Sequence, residues 1–132
     1  MNSYRKNGYV SIWLGICNNY YELNNYLTSN YNEDGEVIKS RFEEDFKLYF
    51  DEDFREADVA DETSDDLEVL LEGFSAYETF INEVKTALGN PLTQLYNSTI
   101  LIYDFKYDGD IKDAQHEGLC LDFIGSFKFH SD

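Results

Sequence analysis

The segment Tyr9-Val10-Ser11-Ile12-Trp13-Leu14-Gly15-Ile16 is β-branched or aromatic along most of its length, with Gly8 before it and Asn18-Asn19 after it. Successive residues of a strand point to opposite faces, and here both faces carry apolar groups. A strand of that kind is expected at the centre of a sheet.

The rest of the chain supplies what such a strand needs. Asn19, three residues before Glu22, makes a capped helix start, and Tyr20, Leu23 and Leu27 recur at helical spacing to Leu27 or Thr28. Residues 30–35 read as a polar loop ending in the turn signal Asp34-Gly35. Ser40 with Glu43 repeats the capping pattern. Beyond it two periods overlap: Phe46, Leu48 and Phe50 alternate as in a strand, whereas Phe42, Phe46, Tyr49 and Phe50 fit a helix. The reading adopted is a short helix to about Phe46, then a strand through Phe50. No element is assigned to residues 51–63. Ser64 or Asp65 opens a helix with Leu67, Leu70, Leu71 and Phe74, stopped near Gly73. A longer helix follows with Tyr77, Phe80, Ile81, Val84 and Leu88 on one stripe, closed by Gly89 and Pro91.

The last third reads as β. Residues 98–107 form a mostly buried strand, Asp108-Gly109 turns the chain, and a connection runs to Gly118. Leu119, Leu121, Phe123, Phe127 and Phe129 then alternate with Cys120, Asp122, Ser126, Lys128 and His130, and only Ile124 breaks the polar face. That predicts an antiparallel strand buried on one side. The order of elements predicts an α+β fold: a single mixed, largely antiparallel sheet of about four strands with three to four packed helices, in one domain over residues 1–132.

Charge narrows the function classes. The chain carries 27 Asp plus Glu against 10 Lys plus Arg, a formal charge of −17. Direct binding to a nucleic-acid backbone needs a basic face and is excluded, as is a polybasic membrane anchor. With 42% hydrophobic and 17% aromatic residues the chain has material for a core, which argues against disorder. The opening residues lack the apolar stretch of a signal peptide, and no run reaches membrane-spanning length. Cys17 and Cys120 are expected as reduced, partly buried thiols of a cytoplasmic protein.

Catalytic patterns are missing. His116 and His130 belong to no metal-ligand or nucleophile pattern, and no Gly-rich phosphate loop occurs. Carboxylate pairs of the glycosidase kind arise by chance in so acidic a chain. The run from Asp104 to Asp110 imitates a calcium loop at positions one, five, six and seven, but Lys106 stands at position three and Gln115 at twelve. No catalytic residue, cofactor or metal is assigned.

What stands out is the acid concentration. Residues 51–72 hold eleven acids and one base, Arg55. Such a segment can be a solvated face that keeps the protein soluble, or a surface that attracts a basic partner and speeds encounter. Composition alone leaves both open. If a partner binds, the candidate contacts are Asp51, Glu52, Asp53, Glu56, Asp58, Asp61, Glu62, Asp65 and Asp66. Tyr49, Phe50, Phe54 and Phe74 are either anchors inside that charged rim or core packing.

Particular residues carry a resemblance. Val10-Ser11-Ile12-Trp13-Leu14-Gly15, then Glu22-Leu23 and Tyr26-Leu27, resemble the opening of the immunity-protein 22 family of bacterial polymorphic-toxin systems. Phe42, Asp45-Phe46, Asp51-Glu52-Asp53-Phe54 and Glu56-Ala57 are similar to its second block. Gly73-Phe74-Ser75 leading to Tyr77 and Phe80 is similar to its third. The likeness covers about residues 8–85, and the order and spacing of the pieces carry it more than any one piece. It departs from the family at Ile16-Cys17. The resemblance implies a cytoplasmic, non-enzymatic protein that binds and blocks one cognate toxin C-terminal domain, often a basic nuclease, with no direct contact to nucleic acid or membrane. It implies structural roles for Trp13, Gly15, Phe42, Phe46 and Phe54, and it transfers no contact residue. The rival reading is an acidic nucleic-acid mimic that occupies a DNA- or RNA-binding protein.

Overall fold

Both faces of the Tyr9–Ile16 run are covered, and the strand it belongs to is third of five. In the computed structural model, which describes residues 4–130, the elements run β1 (Arg5–Ile16), α1 (Tyr20–Leu27), β2 (Asn30–Tyr31), β3 (Val37–Ile38) and α2 (Arg41–Phe46). There follow β4 (Arg55–Ser64), α3 (Leu67–Leu71), α4 (Ile81–Leu88), β5 (Tyr96–Phe105), β6 (Asp113–His116) and β7 (Leu119–Lys128). The main sheet has the order β4-β5-β1-β7-β6 with every pairing antiparallel, and β2 pairs with β3 in a small separate hairpin. The α+β expectation holds. The strand count rises from about four to five, and the main sheet is not mixed.

Alternation along β1 divides the core in two. Val10, Ile12 and Leu14 face Leu67, Leu70, Leu71, Phe80, Ile81 and Val84 of the α3/α4 layer. Trp13 faces the other way, among Leu23, Tyr26 and Leu27 of α1 and Phe42 and Phe46 of α2. Its indole meets the rings of Phe42 and Phe123 at 5.0 Å, and those of Tyr107 and Phe46 at 5.7 and 5.8 Å. These tilted and edge-to-face contacts are the geometry that aromatic quadrupoles favour. Gly15 lies on the same face, where a β-carbon would strike the Cys120 carbonyl oxygen and come within 2.6 Å of Leu121 Cδ2.

Local signals set the helix starts. The Asn19 side chain accepts from Glu22 N at 2.9 Å, opening α1. Ser40 and Glu43 form a reciprocal capping box at α2. Glu43 is itself buried: Oε1 accepts from Ser40 N and Oγ at 3.0 and 2.9 Å, and Oε2 from Phe50 N at 3.4 Å. This arrangement corrects the strand expected through Phe50. Lys47 turns into the left-handed region at φ 55°, Leu48 N donates back to Glu43 O, and residues 47–50 form no ladder. The stripe from Tyr77 to Leu88 is likewise broken. Ala76 is left-handed, Tyr77–Thr79 is a short 3-10 turn, and the α-helix begins only at Ile81.

Strand β7 departs from its expected one-sided burial. Ile12 pairs with Gly125 while Trp13 pairs with Phe123, so Ile124 is an extra, bulged residue. Before it, Leu119, Leu121 and Phe123 face the α1/α2 layer. After it, Phe127 and Phe129 pack on the α3/α4 side with Ile124. One inserted residue moves the apolar set to the opposite face. The connection before Gly118 is no plain loop either, since β6 forms a hairpin with β7. Cys17 is buried but Cys120 is exposed, so only one thiol matches the partly buried expectation. Burial pushes the Cys17 thiol up.

Four tyrosines tie the layers together. Tyr26 donates to Asp45 Oδ2 and Tyr96 to Asp122 Oδ2, both at 2.7 Å. Tyr103 donates to Ser75 O at 2.5 Å, and Tyr107 to Ile111 O at 2.8 Å. Burial raises all four phenols above their ordinary value of 10.0, aided by the carboxylate partners of Tyr26 and Tyr96. Tyr107 is pushed up to about 12. The folded phenols keep their protons to higher pH than the unfolded ones, so above pH 10 the unfolded state is the first to ionise and stability falls as pH rises through the folded values.

Two outcomes follow. Stability should begin to decline near pH 9, where the unfolded Cys17 thiol ionises, and more steeply above pH 10, with a fraction of the phenolate absorbance appearing only as circular dichroism shows unfolding. Gly15→Ala should lower unfolding free energy by about 3 kcal/mol, the upper part of the overpacking range, in urea titration.

Candidate partner-binding face

The acidic segment folds as an edge. Asp51 opens it by capping a short 3-10 turn (Glu52–Phe54), accepting from Asp53 N at 2.9 Å. Strand β4 then pairs with β5 through residues 55–59, slips, and pairs again at Ser64. No element was expected here, because acids at nearly every second position obscure the alternation. Ala57 and Val59 nevertheless pack against the α1/α2 core, and Phe54 against the other.

The nine candidate acids divide into two sets. Asp51 and Asp66 are helix caps, the latter accepting from Glu68 N at 2.9 Å. Glu52 lies 3.8 Å from Arg55. Glu56 is half-buried and takes both Ser75 N and the Ser75 hydroxyl. Asp58 accepts from its neighbour Val59 N at 2.8 Å. Asp53, Asp61, Glu62 and Asp65 have no side-chain hydrogen bond or ion pair among the described residues, and the first three are exposed. Arg55, the one cation of the segment, is turned inward: Nη2 lies 3.4 Å from Asn24 Oδ1 of α1, and the side chain is largely buried. The outer surface of β4 therefore presents carboxylates without counter-charge.

Part of the edge is shielded from a further strand. Arg55 N donates to Glu52 O and Val59 N to Asp58 Oδ1, so donors that an added strand would use are engaged locally. Edge carboxylates add to that protection.

The aromatic candidates separate as well. Phe50, Phe54 and Phe74 pack against the cores, and Tyr49 is exposed. Tyr49, Phe50 and Phe54 wall a hollow of about 360 Å³, with Asp51, Asp104 and Arg5 at its margin.

Where the sequence reads as a polar loop over residues 30–35, the structure has the β2–β3 hairpin. Tyr31 pairs directly with Val37, and they are 72% and 64% exposed. Ile38 and, at the start of α1, Tyr20 and Tyr21 are exposed too. Asn32 Oδ1 organises the turn, accepting from Asp34 N at 2.9 Å and Glu36 N at 3.0 Å. The signal was present in the sequence: Asp34-Gly35 flanked by Tyr31 and Val37-Ile38 is a hairpin pattern. Two-stranded hairpins are marginal alone in water, and exposed apolar residues grouped within acids mark interaction surfaces.

The described residues hold no group of three His, Cys, Asp or Glu side chains able to ligate a metal. Asp104, from the imperfect calcium loop, accepts from Gly8 N at 2.9 Å. His116 stacks loosely on Tyr26 with centroids 5.9 Å apart, and His130 is exposed.

A family model described as Immunity protein 22 matches residues 10–130. The chain belongs to the immunity protein 22 family. The match extends the likeness read over residues 8–85 through β5, β6 and β7. Neither a curated protein nor a solved structure matches the chain. Membership gives a general immunity-protein role, with a cognate toxin as the implied partner. In this immunity protein 22 member, no helix among the described residues is long and apolar enough to cross a membrane.

Proposed function

We propose that this protein is a non-enzymatic inhibitor that binds the C-terminal domain of one toxin, a nuclease, stoichiometrically in the cytoplasm, acting as one domain over residues 1–132. The observation that carries the reading is the β4 border, where Asp53, Asp61 and Glu62 are exposed and uncompensated while Arg55 is turned inward. A nuclease cleft gathers phosphates with Lys and Arg, and a row of free carboxylates offers the same charge. Stable inhibition needs an interface of roughly 1,600 Å² in total, with apolar anchors inside a polar rim. Tyr31, Val37 and Ile38 supply apolar area on the hairpin that follows α1, and α1 packs on β4.

The acids and the hairpin should act on different kinetic steps. Asp53→Asn/Asp61→Asn/Glu62→Gln should slow association with the toxin about tenfold at low salt and flatten its salt dependence, leaving the melting temperature near that of the parent. Tyr31→Ala should instead speed dissociation about tenfold. Stopped-flow kinetics with the purified cognate toxin domain measure both. Association unchanged across a salt series would leave the acids as solvating groups only. Co-purification with a general nucleic-acid-binding protein, and no toxin, would favour the mimic instead.

A further inference from the structure

In a chain with 27 acids, four cations line one cavity, and among the described residues none of them forms a salt bridge. The cavity, about 790 Å³, is bounded by the start of β1, the end of α2 and the loop after β5, and Arg5, Lys6, Lys47 and Lys106 line it. Salt bridges among the described residues involve other cations: Arg41, Arg55, Lys85 and His116.

The fold creates this opening through a slip in register. Arg5 pairs with Phe105, but the next pair is Val10 with Tyr103, so residues 6–9 lie opposite Asp104 alone. Gly8 N and the Asp104 carboxylate bridge the slip, and Lys106 N donates to Tyr4 O at 2.7 Å. Lys6 and Lys106 are drawn over the one ring of Tyr9, their ammonium groups 5.4 and 4.7 Å from its centroid. Lys47 reaches the same cavity from the left-handed residue that ends α2. The three lysines are thus gathered by backbone geometry and aromatic contact, while Arg5 borders the cavity with its guanidinium held 5.0 Å over the Phe54 ring.

We propose that this cavity binds a small, multiply charged oxyanion of the phosphate class, either an inorganic polyphosphate or a nucleoside polyphosphate. Its volume lies in the range of small-ligand sites. Asp108 and Asp110 also line it, so among the described lining residues three lysines and Arg5 stand against two carboxylates. That balance, together with the −17 formal charge of the chain, selects against a long polyanion. A small ion responds to the field within a Debye length, about 8 Å at physiological ionic strength, whereas an extended one meets the acidic surface beyond. The inference is independent of toxin binding.

Titration calorimetry of the full chain with inorganic pyrophosphate tests it, against sodium chloride at matched ionic strength. The expected result is saturable binding with millimolar or tighter affinity, weakened at least tenfold in Lys6→Gln/Lys106→Gln and retained in Lys85→Gln, whose ammonium is paired with Glu68. Should the double variant lose its circular dichroism signature, Lys106→Gln alone gives the same comparison. Adenosine diphosphate binding more tightly than pyrophosphate would assign the nucleotide, and equal affinities the bare polyphosphate. Heats that match the chloride control, or binding undiminished in both lysine variants, would overturn the proposal.

Discussion

A strand that is apolar on both faces cannot be left with either face in water, and the architecture follows from meeting that demand along β1. Its two edges are taken by β5 and β7, and its two faces by helix pairs drawn from separate stretches of sequence. Trp13 shows how closely the parts must agree. Rings from α2, from the loop after β5 and from β7 surround one indole, whose Nε1 has no hydrogen-bond partner among the described residues. Leaving a buried donor unpaired costs about 1–3 kcal/mol, so aromatic packing must outweigh it. Gly15, two residues on, permits the β7 backbone to approach where a side chain would hold it off.

What the sequence revealed of this fold depended on how locally each element is encoded. The starts of α1 and α2 were legible because Asn19/Glu22 and Ser40/Glu43 complete their hydrogen bonds within four residues. The centrality of β1 was legible from its two apolar faces. Strand β4 was not, because it is a strand by virtue of pairing with β5. Asp and Glu disfavour strands, and tertiary context overrode that preference. The bulge at Ile124 was hidden for a related reason: Phe127 and Phe129 look like a continuation of the earlier alternation until the partner strand fixes the register. The acid-rich segment itself could be named from composition. Its division into caps, the Ser75 ligand Glu56 and free carboxylates could not, since each assignment depends on where a backbone N–H from another turn arrives.

Charge is partitioned with similar economy. Acids gather where β4 meets solvent, and the cation in that segment is spent inward on Asn24. Four other cations assemble where β1 and β5 part company, adjoining the aromatic hollow that also has Arg5 at its margin. Chain connectivity alone would not keep the signs apart, because Arg55 sits among eleven acids. The separation is a product of folding, so a net charge read from the sequence understates the local contrast that an approaching molecule meets.

Self-capping of the β4 border carries a consequence for life in a crowded solution. Sheets end in rows of amides that can template stacking of identical molecules, the route to fibrils. Here the Asp58 carboxylate occupies the neighbouring Val59 amide and repels its counterpart on any identical chain approaching edge-on. The same side chain thereby discourages assembly with its own kind while leaving the surface open to a molecule of opposite charge.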